Sequence, residues 1–303
     1  MTTDQIRRVW FGGRKWRVYD RLKKLRQAGY LTVLPYIEDG GIPRGWCYYI
    51  TEKAAAELGM SRPDRVTKLI DPKVQNERVA LTEIMVRLRG TDWTWVGPAA
   101  ARRRHGFPPN AELDGVLKSP QGLLFGVYLV GKNPREAKLR AVRSEIRAAQ
   151  NLGRPLNGFV VLFQAREAMA KFGTDPLGAY RLMLLPYPEG LDLLARLADP
   201  AVLLRVPGLG LEGAQGLLPD EPWADWLVRA RQGECYLVEL LTRDLAKLRG
   251  LAGYAADGAR VRRRPVVALA FEDEMADFAE FSGLPHLRLV PVPRSWVCAP
   301  ETG

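Results

Sequence analysis

The segment from Arg14 to Leu31 most narrows the choice of fold, because it joins an apolar stripe to a dense set of cations. The apolar stripe has the i, i+4, i+7 spacing of one helix face and consists of Val18, Leu22 and Leu25. Between positions 14 and 26 there are seven Lys or Arg residues and one acid, Asp20. Gly29 then supplies a helix stop, since a residue without Cβ readily takes the left-handed conformation. The pattern predicts a helix with one core-facing side and one cationic side.

The residues around this segment predict further helices and a β-hairpin. Two β-prone runs, at 30–34 and 46–50, flank a Glu-Asp-Gly-Gly turn. Thr51 is placed to cap the next helix, and Thr3 is the expected cap of a first helix that ends before a Gly-Gly turn. Helix, basic helix, hairpin and helix together resemble a winged helix-turn-helix DNA-binding domain over residues 1–60.

The resemblance implies which side chains meet DNA. A helix of this size fits the major groove of a duplex, so we expect its cations to contact the groove or the flanking phosphates. The expected contacts are Arg14, Lys15, Arg17, Arg21 and Lys24. Arg44, at the end of the hairpin loop, is expected to reach the DNA backbone or the minor groove, and Trp16 to bury in an interface or touch DNA. A solvated surface helix without a DNA role is the alternative.

A winged helix has one more helix than this chain supplies before the basic segment. That helix belongs to a three-helix core, and only residues 2–11 stand before the basic segment as a helix. Either a later segment takes its place, with Lys53–Leu58 and Lys73–Leu88 as candidates, or the start of the protein lies upstream.

Composition narrows the class of partner. The net charge of +11 and the pI near 9.7 favour a polyanion, with nucleic acid first and an anionic membrane surface second. There is no apolar run of about eighteen residues and no signal peptide pattern, so we expect no membrane role. Cys47, Cys235 and Cys298 form no disulfide framework, and two histidines add no zinc cluster. We therefore expect a cytoplasmic protein that holds no metal and no cofactor.

After the hairpin region the sequence predicts a connection and then an α/β domain. Residues 61–90 hold a polar linker and a connecting helix. Short apolar strands alternate with helices over residues 91–303, as in a mixed sheet of about six to eight strands. Two blocks, 126–163 and 235–271, both have the pattern strand, basic helix, strand. A duplication explains this likeness, and so does the pattern common to all βαβ units.

Short motifs in the second domain resemble the plasmid replication-relaxation family, whose members join a winged helix to a domain related to restriction endonucleases. The matching motifs are Leu113-Asp114-Gly115-Val116 after Pro108-Pro109, the strand Tyr236–Leu241, the helix Lys247–Tyr254, and Arg262–Val267 at the return to the sheet. The resemblance covers most of the chain. It implies a DNA-binding protein of a plasmid or other mobile element.

Nuclease chemistry in that fold needs two carboxylates on a divalent metal and a lysine that polarises the attacking water. Asp114 and Glu239 are the candidate acids, and Glu112 joins them if the three meet in space. Leu241 stands where the resemblance requires the lysine. We therefore predict a nuclease-like domain without catalytic residues or a metal site, with a metal-dependent endonuclease as the open alternative.

Two further basic clusters and one glycine-rich stretch are the remaining candidate binding sites in the sequence. Both clusters lie in predicted loops and are expected to contact the DNA backbone or only to aid solubility. They are Arg102, Arg103 and Arg104, and Arg262, Arg263 and Arg264. Gly-Leu-Gly-Leu-Glu-Gly at 208–213 matches the dinucleotide-binding pattern, but no strand precedes it in a βαβ context, so we interpret it as a loop.

These features predict an α/β protein, α+β overall, with a winged helix at residues 1–60 and a mixed-sheet domain at residues 91–303. We expect it to bind a double-stranded DNA site as a homodimer. The process served is replication, mobilisation or transcription control, with replication or conjugation proteins as further partners. The rival hypotheses are the metal-dependent nuclease and an assembly protein that binds DNA only weakly.

Overall fold

The chain divides into two units, Met1–Arg89 and Gly90–Gly303. The structure is a computed structural model and describes residues 1–12, 15–37, 43–59, 71–173, 180–211, 215–230, 233–256, 264–284 and 286–298. Helices and three β-sheets make up these residues, which confirms the predicted α/β class. Across them, no helix combines the length and the apolar composition needed to cross a bilayer.

Unit 1 combines helices with a β-hairpin. Its elements are α1 (Thr3–Trp10), α2 (Lys15–Gln27), β1 (Leu31–Ile37), β2 (Pro43–Ile50), α3 (Glu52–Glu57) and α4 (Pro72–Arg87). β1 and β2 are antiparallel, with Leu31 opposite Ile50. Thr2, before α1, makes an isolated bridge to Cys47 of β2. Both strands extend further toward the turn than the β-prone runs predicted.

The end of α2 is set by Gly29, as predicted. Gly29 adopts a φ of 76°, in the left-handed region where a side chain is strained. Its amide donates to the carbonyl of Arg26 at 3.0 Å, and the Tyr30 amide donates to the carbonyl of Leu25 at 2.9 Å. These two bonds satisfy carbonyls that the last helical turn leaves open. The chain then turns directly into β1.

α1 and α3 each begin after a threonine that caps the helix N-terminus. Thr51 caps α3 by accepting a hydrogen bond from the amide of Ala54 at 3.2 Å, which confirms the prediction. For α1 the predicted cap, Thr3, is wrong by one residue. Thr2 accepts from the Gln5 amide at 3.2 Å, and the Gln5 side chain accepts from the Thr2 amide at 2.9 Å. This reciprocal pair is the capping box that fixes the start of α1.

A small apolar core holds α1, α2 and the hairpin together. Its buried members are Ile6, Val18 and Leu22, and Met1, Phe11, Leu31 and Tyr48 pack against them. Leu25, predicted as the third residue of the apolar stripe, is 40% exposed, so that part of the prediction is wrong. Val18 and Leu22 already fill this core, and the last turn of α2 extends beyond it.

α4 packs on α1 as a third helix of unit 1. Its buried apolar residues include Ala80 and Ile84, and Leu88 is buried directly after its end. The side chain of Gln5 in α1 donates to the Val79 carbonyl at 2.9 Å and to the Glu83 carboxylate at 3.1 Å. Of the two segments predicted to fill the missing face, Lys73–Leu88 is therefore the one that meets α1.

α4 also contacts the hairpin. Gln75 is buried and donates to the Pro35 carbonyl at 3.1 Å and to the Tyr49 hydroxyl at 3.3 Å. Its carbonyl oxygen accepts from the Ile37 amide at 3.4 Å. This helix was predicted to connect the two domains, but it belongs to unit 1, where it contacts α1 and β1.

The first half of unit 2 is a five-stranded sheet with helices. Its elements are β3 (Thr94–Val96), α5 (Pro98–Arg104), β4 (Gly115–Lys118), β5 (Leu124–Val130), α6 (Glu136–Asn151), β6 (Gly158–Phe163), α7 (Arg166–Phe172) and β7 (Arg181–Pro186). The strand order is β3-β4-β5-β6-β7. The first three strands are antiparallel and the last three parallel. Every residue of β6 is buried, as expected for a strand covered on both faces.

The second half repeats this arrangement. Its elements are α8 (Glu189–Arg196), a 3₁₀ helix (Pro200–Arg205), β8 (Gln215–Leu217), β9 (Trp226–Ala230), β10 (Gly233–Glu239), α9 (Leu245–Ala256), β11 (Val266–Phe271), a second 3₁₀ helix (Glu272–Phe281), β12 (Leu287–Val292) and α10 (Ser295–Cys298). The strand order is β8-β9-β10-β11-β12. Again an antiparallel run of three strands passes into a parallel run of three.

The predicted single sheet of six to eight strands is therefore wrong, because the strands divide into two sheets of five. β8 and β9 lie between the two blocks for which the sequence predicts strands and a helix. β8 has only three residues, one of them Gly216, so it gives no periodic signal. The shared strand order favours duplication as the reason why the two sequence blocks look alike.

An ion network around Glu83 joins α1 to α4. Arg8 donates to its carboxylate at 2.6 and 2.7 Å, and Arg87 donates at 2.8 Å. Burial alone raises the pKa of Glu83, but the hydrogen bonds from Arg8, Gln5 and Arg87 outweigh burial and lower that pKa below its ordinary value. Stability from a carboxyl with a lowered folded-state pKa is present above the unfolded pKa of about 4.3. It is lost as the pH falls through the folded pKa.

We expect Glu83→Gln to lower the free energy of unfolding by about 2 kcal/mol at pH 7, because a charged acceptor of three donors is lost. The deficit should shrink as the pH falls below the ordinary carboxyl pKa, because the wild-type stability that depends on the charged carboxyl is then lost. Urea unfolding, with hydrogen exchange of the α1 amides, measures this. Glu77→Gln is the matched control, an exposed acid on the same helix. Equal effects of the two variants at pH 7 would contradict the assignment.

Candidate functional site

The outward side of α2 carries the densest exposed positive charge on the helices of unit 1. Val18 and Leu22 are 0% and 5% exposed, so they mark the inward side. The exposed cations on the rest of the helix are Arg17, Arg21, Lys23, Lys24 and Arg26. Lys24 pairs with Asp20 at 3.0 Å. Within the described part of the chain, the other four cations form no ion pair.

The charge of the whole chain is concentrated in unit 1. Residues 1–89 hold 18 Lys or Arg and 10 Asp or Glu, a net charge of +8. Residues 90–303 hold 27 and 24, a net charge of +3. Most of the excess therefore belongs to the unit that carries α2. A polyanionic partner would be attracted to that unit first.

Many arginines of unit 2 are held by acids instead. Such pairs are Arg181–Asp244, Arg205–Asp199, Arg229–Glu234, Arg243–Glu274 and Arg294–Asp273. Arg264, a predicted phosphate contact, belongs with them: it pairs with Asp220 at 2.8 Å and Glu234 at 3.2 Å. The hydrogen bond from Tyr236 and that from Arg264 lower the pKa of Asp220. Arg264 is thus committed to acids of its own unit.

The other triple-arginine cluster is helical, and one member is used internally. Arg102, Arg103 and Arg104 form the end of α5, which corrects the predicted loop. Arg102 donates to the carbonyls of Leu113 and Pro109, each at 3.0 Å. Arg103 and Arg104 are exposed at the C-terminus of the helix, where cations complement its partial negative charge. Their charge has a structural explanation without DNA.

Several predicted contact residues lie outside the described structure. Arg14, the hairpin tip at 38–42, Arg262 and Arg263 are among them, and so are the side chains of Lys15 and Trp16. Arg17, Arg21, Lys24 and Arg44 are described, and all four are exposed. The first three lie on α2, and Arg44 lies on β2.

Unit 2 contains a buried ionic cluster of Asp225, Glu239 and Lys247. The ammonium of Lys247, on α9, lies 2.6 Å from Asp225 Oδ1 and 2.5 Å from Glu239 Oε1. Asp225 stands directly before β9 and Glu239 ends β10, so adjacent antiparallel strands bring the acids together. Thr242 donates its amide and its hydroxyl to Glu239, each at 2.9 Å.

Burial and mutual attraction together determine the pKa values of Glu239 and Lys247 in this cluster. Burial raises the pKa of the Glu239 carboxyl above its ordinary value. Burial would lower the pKa of Lys247, but attraction by Asp225 and Glu239 outweighs it, and the pKa is raised. Lys247 therefore remains an ammonium at neutral pH. Asp244, also buried, pairs with Arg181 at 2.7 Å, so three carboxylates face two cations here.

The structure corrects the predicted acid pair, because Glu239 meets Asp225 and not Asp114. Asp114 occupies the same place in the first sheet: its amide donates to Val127 O, and its carboxylate accepts from the Leu129 amide at 2.6 Å. Asp225 repeats both bonds in the second sheet, donating to a β10 carbonyl and accepting from the Glu239 amide at 2.8 Å. Leu129 thus stands where the second sheet has Glu239.

Glu112, the third candidate acid, is engaged elsewhere. Its carboxylate pairs with Lys138, and its amide donates to Glu145 at 2.7 Å. In the described residues, no group of three His, Cys, Asp or Glu side chains is arranged to hold a metal ion. Asp225 was not among the predicted site residues, and Lys247 was predicted without a catalytic role. The available signal was an aspartate shortly before each of the two similar blocks, at positions 114 and 225.

The cluster lines a cavity of about 90 Å³ between the two sheets of unit 2. Asp225, Glu239 and Lys247 form one side of it. The first sheet contributes Phe125 and Arg181 to its lining. The cavity is therefore lined by this charged cluster and by residues of the first sheet.

Comparison with known proteins adds no identification. No protein family, curated protein or solved structure matches the chain. The function has to be argued from two features: the unpaired cations of α2, which can neutralise phosphates, and the buried cluster, which holds opposed charges in a cavity.

We expect Lys247→Met to lower the free energy of unfolding by about 4 kcal/mol, because it leaves two buried carboxylates without their counter-ion. Adding Glu239→Gln should restore part of the loss, since one of the opposed charges is then removed. Denaturant unfolding of the single and double variants measures both effects. Lys138→Met is the control, because Lys138 pairs with a more exposed acid and should cost below about 1 kcal/mol.

Proposed function

We propose that the protein binds double-stranded DNA through α2. The observation that carries the proposal is the set of four exposed cations on this helix, Arg17, Arg21, Lys23 and Arg26, with no acid paired to them among the described residues. Unpaired guanidinium and ammonium groups at such density repel one another unless a polyanion neutralises them. Phosphates of a duplex meet this requirement, and release of their counter-ions drives binding.

The arrangement of unit 1 supports a winged helix as the means of presentation. α1 and α2 share a core, the β1–β2 hairpin follows, and α4 serves as the further helix. In that arrangement the second helix lies in the major groove and the hairpin approaches the backbone or minor groove. Arg17, Arg21 and Lys24 would contact the groove or its phosphates, and Arg44 the backbone beside it.

The sequence resemblance sets the wider proposal. A DNA-binding protein of a plasmid or mobile element, acting in replication, mobilisation or transcription control, would use unit 2 to form a homodimer or to recruit replication or conjugation proteins. The three antiparallel strands that pass into parallel strands in each sheet support a restriction-endonuclease-like ancestry for unit 2. A second unit in the same chain fits a protein that assembles others on DNA.

Replacing Arg17 and Arg21 together with alanine should weaken duplex binding at least about tenfold and reduce the slope of log affinity against log salt by about two. Fluorescence anisotropy over a salt series measures both. Arg205→Ala/Arg229→Ala is the matched control, since it removes two exposed positive charges from unit 2. Equal losses in the two double variants would refute binding through α2. If the Arg17→Ala/Arg21→Ala variant no longer binds DNA but still recruits its partner proteins, the alternative of an assembly protein is favoured.

A second candidate function is metal-dependent hydrolysis of DNA at the Asp225–Glu239–Lys247 cluster. Two carboxylates and a lysine of this kind are the set that the nuclease alternative requires, and they meet in a cavity. Carboxylate oxygens suit Mg²⁺, and the surrounding acids exceed the cations by one charge. Asp225 and Glu239 would hold the ion, which would polarise a phosphoryl oxygen. Lys247 would then have to leave one of the carboxylates that it now bridges.

If this second function is correct, Mn²⁺ raises the unfolding temperature of the wild type, because it binds only the folded state. Asp225→Asn abolishes both this rise and Mn²⁺-dependent cleavage of duplex DNA. Asp114→Asn keeps both, since that acid makes the same backbone bonds in the first sheet without a glutamate beside it. Absence of any Mn²⁺ effect on the wild type would leave the cluster with a structural role.

A further inference from the structure

Asp20 is the one acid of α2, and it lies at the centre of the outward face. Asp20 is two residues after Val18 and two before Leu22. Each step of two residues rotates a side chain by about 200° around the helix axis, which places Asp20 nearly opposite both. Since those two side chains are buried, Asp20 is opposite the core, and its side chain is 57% exposed. Arg17 and Arg21 lie to one side of it. Lys23 and Arg26 lie to the other side, also exposed.

An acid at this place is unfavourable for a surface that binds only phosphates. It would be repelled by the DNA backbone and would cancel part of the charge that its neighbours supply. In a major groove, however, the two flanks of a helix approach the two phosphate chains, while its central strip faces the base edges. The placement of Asp20 between two cationic flanks therefore fits base contact and not backbone contact.

Lys24 makes Asp20 part of a donor–acceptor pair. The ammonium of Lys24 lies 3.0 Å from Asp20 Oδ2, one helical turn along the same face. Together they present a positive donor beside a negative acceptor. The major-groove edge of a G·C pair offers the complement, because guanine O6 and N7 accept and the cytosine N4 amino group donates.

We propose that the Asp20–Lys24 pair reads a G·C base pair, with Lys24 donating to guanine and Asp20 accepting from cytosine. The proposal rests on duplex binding through α2 and adds the residues that confer specificity. Asp20 lowers affinity for the backbone and in return restricts the sequences that bind. Arg17 and Arg21 supply affinity that is independent of sequence.

The test is selection from a random duplex library with the wild type and with Asp20→Ala, followed by affinity measurements on the selected site. The wild type should show a G·C requirement at one position, with roughly tenfold discrimination against A·T. In Asp20→Ala this discrimination should fall to roughly one, while affinity for random DNA rises severalfold. Glu57→Gln, which removes an exposed acid of α3, is the control and should raise random binding slightly without changing the site. Circular dichroism establishes that each variant is folded.

The outcomes separate the two proposals. If the wild type binds DNA and Asp20→Ala selects the same site with the same discrimination, base reading by Asp20 is refuted and duplex binding stands. A wild type that prefers A·T at the affected position also refutes it. If the wild type binds no duplex, or if Arg17→Ala/Arg21→Ala binds as well as the wild type, both proposals fail.

Discussion

The burial of Val18 and Leu22 decides which side of α2 meets solvent, and the candidate DNA surface depends on it. Among the described residues, the two side chains are anchored in the apolar core with Ile6. Polar contacts add to this packing, because Glu83 accepts from Arg8 and Arg87 and thereby ties α4 to α1. Because this core fixes the rotation of α2 about its axis, the cations of the helix remain on the solvent side and close to one another.

The same rule about charge explains the contrast between the units. Removing a charge from water is costly unless a partner is close, so buried cations in unit 2 lie against acids. Lys247 is the extreme case: it is 5% exposed and touches two carboxylates. The cations of α2 remain in water, so they need no acidic partner, and they contribute little to the stability of the fold. Their mutual repulsion lowers that stability, and a polyanion bound to the helix would replace this repulsion with attraction.

Sequence reasoning succeeded where local pattern decides the structure. The apolar spacing predicted α2, Gly29 predicted where it ends, and Thr51 predicted where α3 begins. It failed where distant residues decide. The contact between Arg8 and Glu83 spans 75 positions, and the local pattern left two segments open for the further helix. Asp225 was missed for a related reason: β9 was not predicted, so the acid had no strand to bring it to Glu239.

The shared strand order of the two sheets in unit 2 bears on how a symmetric DNA site would be bound. β7 of the first sheet contacts the segment between β10 and α9, since the Leu184 amide donates to the Thr242 carbonyl and Arg181 pairs with Asp244. Two sheets with the same strand order are therefore already held together inside one chain. α2 occurs once per chain. A palindromic site would still require a second chain, and the surface that joins two chains must differ from the contact between these sheets.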